Sequence, residues 1–296
     1  MKTVGLTVSQ RIVAGLVDDN KLAGPLQFFP EKEDDDDALV QMPREEMIRV
    51  MCEEIATVSR GITDLGAVGI ALPGIIKNGV VEDSPNLPQL KGARVEEQVA
   101  AALAHHNFHI PVKVMNDADS VAAGLAANHG KLDHVIRVWT LGTGIGFGRY
   151  PLAEGVLEGG HTVVTLDDKE TYCGCGGRGH IEGIMGHRAM RLRFLDMEPE
   201  DVFEAAAKGD ARCLLFKKLW HKALAAGTAS SIHMSGAGKF YLTGYNVRFV
   251  DLQMLQDYIS QMVRMSPLLS FSIEIRPEDV GNEVLGAAVL ARQSAK

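Results

Sequence analysis

The spacing of apolar residues changes several times along the chain, and each change marks an element. "VGLTV" (4–8) and "RIVAGLVDD" (11–19) are short aliphatic runs broken at Ser9, Gln10 and Asn20. They predict strands joined by turns, and "GPLQFF" (24–29) predicts a third. "PREEMIRVMCEEIATVSRG" (43–61) returns apolar residues at helical spacing, between a proline suited to a first turn and a glycine suited to a stop. "GAVGIALPG" (66–74) is a continuous apolar run, a buried strand, and the loop "SPNLPQL" (84–90) follows. A helix over about 94–106 leads to the strand "PVKVMND" (111–117) and the small-residue helix "ADSVAAGLAAN" (118–128).

The second half repeats the scheme. "HVIRVWTLGTGIGFGRY" (134–150) predicts a strand, a glycine turn and a returning strand, and helices are expected through about residue 230. "FYLTG" (240–244) and "SIEIRP" (272–277) predict strands, "LQMLQDYISQMV" (252–263) and "NEVLGAAVLARQ" (282–293) helices. A strand meander followed by alternating helices and strands in each half predicts an α/β architecture of two similar lobes with a cleft between them.

Composition narrows the class. A chain of 296 residues, 46% hydrophobic and 23% charged, can bury a sizeable core. Its net charge of −8, with no basic stretch, speaks against nucleic-acid and membrane surfaces. No apolar run approaches a membrane span, and the first strand begins too near Met1 for a signal peptide, so a cytoplasmic protein is expected. The acidic run "EKEDDDD" (31–37) reads as a solvated loop rather than a metal cluster. Four cysteines do not make a disulfide scaffold, and Cys52 and Cys213 read as reduced core thiols.

The chemistry concentrates in "TYCGCGGRGHIEG" (171–183). Cys173, Cys175 and His180 offer three ligands within eight residues, and His161 can supply the fourth. Two thiolates and two imidazoles suit tetrahedral Zn²⁺, and with four protein ligands the metal would be structural. A redox pair would more typically be C-x-x-C. His187 is a rival ligand, further along the next helix.

Three other stretches leave two readings each. "LGTGIGFG" (141–148) is a phosphate-binding turn or a plain tight hairpin. Asn116 and Asp117, at the end of a buried strand before a helix, are ligand-binding residues or helix caps. Glu158 and Glu182, each within three residues of a proposed zinc ligand, are partners for sugar hydroxyls or ordinary charged positions.

Taken in order, these stretches resemble the ROK family of sugar kinases and sugar-responsive repressors, within the actin and hexokinase superfamily. "GIALPG" resembles the strand before the sugar loop, "SPNLP" the sugar loop, "VMNDAD" the catalytic segment and "TLGTGIGFG" the second phosphate motif. "EGGH" matches E-x-G-H, and "CGCGGRGHIE" resembles C-x-C-G-x-x-G-C-x-E. The resemblance implies a two-lobed fold of duplicated ribonuclease H-like domains with a zinc-binding loop at 158–182. It places one lobe at 1–118, joined by the terminal helix 282–296, and the other at 119–281.

It also implies ATP-dependent phosphorylation of a hexose or N-acetylhexosamine, with Mg²⁺ accompanying ATP. Asp117 would be the general base, and Asn116, Glu158, His161, Glu182, Asn86 and Gly74 would hold the sugar. Gly142, Thr143, Gly144, Gly146 and Gly244 would contact the nucleotide. His161, Cys173, Cys175 and His180 would hold the zinc. Lobe closure and a homodimer are family expectations.

The chain departs from the family at three places. His180 stands where the family has a third cysteine, which zinc accepts. The segment between Gly148 and Glu158 is shorter. The opening D-x-G-G-T, whose Asp helps to hold Mg²⁺, is replaced in "GLTVSQRIVAG" by Thr7 or a neighbour, with Ser9 and Gln10 in place of the glycines. That third departure opens a second reading, a relative that binds sugar as a sensor or partner protein and phosphorylates it weakly or not at all. A DNA-binding repressor is not expected, because only a few residues precede the first strand.

Overall fold

The computed structural model describes residues 1–32, 38–105 and 108–295. Most of the acidic run, positions 33–37, lies outside the described residues. In chain order the strands and helices are β1 (Lys2–Val8), β2 (Ile12–Asp18), β3 (Lys21–Leu22), β4 (Gln27–Phe29), α1 (Arg44–Val58), β5 (Leu65–Leu72), β6 (Ile75–Lys77), β7 (Val80–Asp83), α2 (Val95–His105), β8 (Val112–Asn116) and α3 (Asp117–Asn128). They continue with β9 (Ile136–Leu141), β10 (Ile145–Tyr150), α4 (Ile181–Met185), α5 (His187–Arg193), α6 (Pro199–Ala207), α7 (Ala211–Ser235), β11 (Lys239–Thr243), α8 (Leu252–Met262), β12 (Ser272–Ile275) and α9 (Val280–Ser294).

Two compact units emerge. One comprises 1–136, 148–156 and 279–296; the other comprises 137–147 and 157–278. The division after Ile136, rather than after 118, follows from α3, which packs along α9 within the first unit. The sheet of the first unit runs β3-β2-β1-β5-β8, with β4 also on β2. β1 and β2 are an antiparallel hairpin, whereas β1, β5 and β8 are parallel. The second unit holds a sheet ordered β10-β9-β11-β12. Hairpin strands followed by two further strands thus occur in the same order in each unit.

In the first unit, α9 lies against β1, β5 and α3 through glycines. A Cβ on Gly5 would overlap the Val284 carbonyl, and one on Gly69 the Ala287 carbonyl. Between the helices, Gly124 meets the backbone of Asn282 and Gly286 that of Ser120. Small residues at these crossings let backbones touch, which gives dense dispersion contact and fixes the helix along its length. Trp139 and Trp220 anchor the second core, each donating its indole N–H, to Thr228 Oγ1 at 3.1 Å and to the Met185 carbonyl at 3.3 Å.

The four cysteines are free thiols, with Cys52 and Cys213 buried in the two cores. No helix among the described residues is long and apolar enough to cross a membrane. The small hairpin β6–β7 leaves no mark in the sequence, because strands of three and four residues carry too little pattern to read.

Gly286→Ala tests the α9 contact. Helix propensity alone would favour alanine by about 1 kcal/mol. Forcing a methyl into the Ser120 carbonyl costs about 1–3 kcal/mol, and no flexible side chain is there to yield. The expected outcome is a lower urea-unfolding midpoint; a variant as stable as wild type would show that α9 can move off α3.

Candidate functional site

Four ligand atoms meet in the second unit. His161 ends a single helical turn, Gly159–His161, and His180 caps α4. The two segments are cross-paired, Val164 N–H to the Gly179 carbonyl at 2.8 Å and Ile181 N–H to the Thr162 carbonyl at 3.0 Å. Cys173 and Cys175 close the cluster. The sulfurs lie 3.4 Å apart and the two imidazole Nδ1 atoms 3.3 Å apart. Cys173 Sγ is 3.4 Å from His161 Nδ1, and Cys175 Sγ is 3.3 Å from His180 Nδ1.

Zinc–ligand bonds of about 2.0 and 2.3 Å put the corners of a tetrahedron roughly 3.3–3.8 Å apart. Those four separations are at or just inside that size and all four ligand atoms lie within 4.8 Å of one another, so the donors suit a closed four-ligand ion. Burial pushes the Cys173 thiol up to about 12, and the nearby Glu182 carboxylate acts in the same direction. A cation among the four donors is what would make this sulfur a thiolate near neutral pH. His187, the rival ligand, is not in the cluster.

An ion pair braces the loop from outside. Arg193 on α5 grips both oxygens of the buried Glu170 and stacks over the Tyr172 ring, 4.4 Å from its centroid. The Gly179 N–H in turn donates to the Glu170 carbonyl at 2.8 Å. Charged residues so far apart in sequence gave no sign of this clamp.

The two glutamates differ. Glu158 Oε2 lies 3.9 Å from His161 Nε2, the ring nitrogen turned away from the cluster. Burial raises the Glu158 carboxyl above its usual range, against the lowering effect of His161. Glu182 accepts the Ile145 N–H at 3.2 Å with one oxygen, and its other oxygen is 3.4 Å from Cys173 Sγ. Glu182 therefore ties the Cys/His segment to the glycine turn.

That turn, Gly142–Thr143–Gly144, joins β9 to β10. The Gly142 carbonyl accepts from the His187 N–H and from Asn246 Nδ2, both at 3.0 Å. The Thr143 hydroxyl is 3.1 Å from the Tyr245 hydroxyl, and Tyr245 meets the His187 ring edge-on at 5.4 Å. Gly244 takes φ +92°, where a side chain would strike Leu141, and so starts the turn that carries Tyr245 and Asn246. Gly146 lies on β10. Tyr245, Asn246 and His187 carry no sequence signal as neighbours of this turn; only the fold brings them together.

In the first unit, Asn116 is the N-cap of α3, its Oδ1 accepting from Ala118 N–H at 2.9 Å. Its Nδ2 donates to the Gly74 carbonyl at 3.0 Å, which ties the turn after β5 to the end of β8. Gly74 takes φ +110° against the backbone of Asp83 and Ser84. Asp117 opens α3, half-buried, accepting its neighbour's N–H from Ala118 at 2.8 Å. Asn86 is exposed in the loop after β7. Of the two readings left open for Asn116, the cap is realised, while Asp117 stands at the carboxyl end of a parallel strand, where α/β sheets bind ligands.

Comparison with known proteins gives the family. The model of the ROK family matches residues 32–294. The chain belongs to the ROK family. It is 30% identical to the glucokinase of Thermotoga maritima over 87% of this chain and 88% of that protein. It is also 30% identical to the glucokinase of Pyrobaculum calidifontis, over 80% and 82%. The crystal structure of a ROK hexokinase from Thermus thermophilus superposes with a TM-score of 0.79 over 99% of each chain, at 22% identity, and so shares the fold.

Asn116→Ala removes both a cap, worth about 1 kcal/mol, and the bond to Gly74, worth about 1 kcal/mol. Asn116→Asp keeps an acceptor for the cap and loses only the donor. The expected order of stability in urea unfolding is wild type, then Asn116→Asp, then Asn116→Ala.

Proposed function

We propose that this ROK protein is an ATP-dependent kinase of a hexose or N-acetylhexosamine, built on a two-lobed actin-like fold. The observation that carries the reading is Asp117 at the carboxyl end of β8, its backbone fixed by the Asn116 cap. Two glucokinases at 30% identity support it.

Phosphoryl transfer asks for positioning and charge neutralisation more than for covalent chemistry, so a single carboxylate suffices as base. In this reading Asp117 takes the proton from the attacking sugar hydroxyl. Asn116, Gly74 and Asn86 are the sugar-binding candidates of the first unit. Glu158, His161 and Glu182 are the sugar-binding candidates of the second. His161 qualifies because its Nδ1 faces the cluster while Nε2 remains to donate. Gly142, Thr143, Gly144, Gly146 and Gly244 lie on the nucleotide side, and Mg²⁺ accompanies ATP.

The Cys/His cluster would hold a structural Zn²⁺ through His161, Cys173, Cys175 and His180. Zinc there supplies cross-linking rather than a reaction step. Its effect on sugar binding is to fix His161 and the start of α4, which carries Glu182.

A second reading rests on the β1–β2 hairpin, whose turn is Ser9–Gln10–Arg11 with exposed Ser9 and Gln10. Without glycines to admit a phosphate to the backbone, the protein would act as a sugar-binding sensor with weak or no transfer.

A coupled ADP-release assay over hexoses and N-acetylhexosamines tests the kinase. We expect sugar-dependent release that Asp117→Asn lowers by about 10²–10⁴-fold. No release with any sugar, alongside calorimetric sugar binding, would favour the sensor. Elemental analysis tests the zinc: about one ion per chain in wild type, in keeping with a single four-ligand site, and loss in Cys175→Ser. Wild type purified without chelator and free of zinc would refute it.

A further inference from the structure

Thr7, the penultimate residue of β1, is buried, and its hydroxyl donates to the carboxylate of Glu283. The partners are 276 residues apart in sequence. Glu283 sits half-buried in the first turn of α9. Backbone contacts of Val284 with Gly5 and of Asn282 with Gly124, on either side of it, fix its position.

This pair stands on a particular edge. β1, β5 and β8 are parallel, with Thr7 opposite Ala71 and Leu72 opposite Asn116. Their carboxyl ends therefore lie side by side, and such ends are where α/β sheets take ligands. Asp117 follows β8, two strands from β1, a separation of about 10 Å at the usual strand spacing.

Transfer from MgATP needs two acidic functions: a base at the acceptor hydroxyl, and a carboxylate to anchor the cation on the phosphates. One carboxylate cannot efficiently do both. Mg²⁺ keeps several waters and is held through one or two carboxylates together with the nucleotide. Thr7 brings no charge to its end of the sheet, but it aims a carboxylate there from α9. The donor set is hard oxygen, which suits magnesium.

We infer that Glu283 is the carboxylate through which this protein anchors the hydrated Mg²⁺ of its nucleotide, with Thr7 orienting it. The inference rests on the kinase reading above. It also accounts for a first hairpin that lacks an acid, since the charge would come from the last helix instead.

The test is binding of Mn²⁺ to the full-length protein in the presence of a non-hydrolysable ATP analogue, followed by electron paramagnetic resonance. Glu283→Gln keeps the shape and can still accept from Thr7, so folding is preserved and checked by thermal melting. It should weaken Mn²⁺ in the ternary complex by about tenfold or more, and raise the Mg²⁺ concentration for half-maximal ADP release without changing the sugar KM. Thr7→Val removes the hydrogen bond and leaves the charge, so its effect should be smaller. Equal Mn²⁺ affinity in wild type and Glu283→Gln overturns the inference while leaving the kinase reading intact. An effect of Thr7→Val as large as that of Glu283→Gln overturns it too, by showing that the hydrogen bond and not the charge matters. Wild type that binds no Mn²⁺–nucleotide removes both readings together.

Discussion

The first unit depends on one contact, the backbone-to-backbone seating of α9 on β1, β5 and α3. Helices ordinarily meet a sheet through side chains that hold the backbones well apart; here glycines remove that layer. The last helix of the chain is thereby locked against its first strand. Rows of carbonyls and Cα atoms cannot re-rotamer as side chains do, so α9 cannot slide along its seat without a backbone clash. Everything α9 presents to the sheet edge inherits that constraint, Glu283 included. The same packing holds α3, and through it the cap at Asn116 that orients Asp117.

The second unit solves a similar problem by different means. Segments 158–163 and 170–182 have few apolar side chains and many glycines, so the hydrophobic core holds them at few points, Ile181 among them. Cross-pairing at 162–164 and 179–181 supplies part of the constraint, and the Arg193–Glu170 clamp supplies more. Four soft and borderline donors close together would supply the rest if a metal joined them. Glu182 then carries the order onward, because its carboxylate accepts from the first residue of β10.

How much of this could be read from the sequence depended on range. The Cys/His cluster was legible because three of its four ligands lie within eight residues, and spacing alone constrains such a set. Strands such as β5 and β9, and helices such as α1 and α9, were legible through hydrophobic period. The Asn116 cap was legible as an option, since a polar residue before a helix has few other uses. What did not show was anything joined only by tertiary contact. Tyr245 beside Thr143, Arg193 on Glu170 and Glu283 under Thr7 connect elements whose sequence distance hides them. A pattern of types cannot reveal a pair that only the packed chain creates.

That limit bears directly on the chemistry. Motif reading treats a missing acid as a missing function, because the motif is local. A parallel sheet edge is not local: it collects side chains from every strand end and from every helix packed behind it. Charge at such an edge can move from a strand to a helix over the course of divergence, provided the helix is held rigidly enough to aim it. In this protein the helix that would carry the charge is the one seated backbone to backbone on β1, β5 and α3. The two features belong together, since a carboxylate on a loosely seated helix would lose its orientation and, with it, any selective hold on a small hydrated cation that demands near-octahedral geometry.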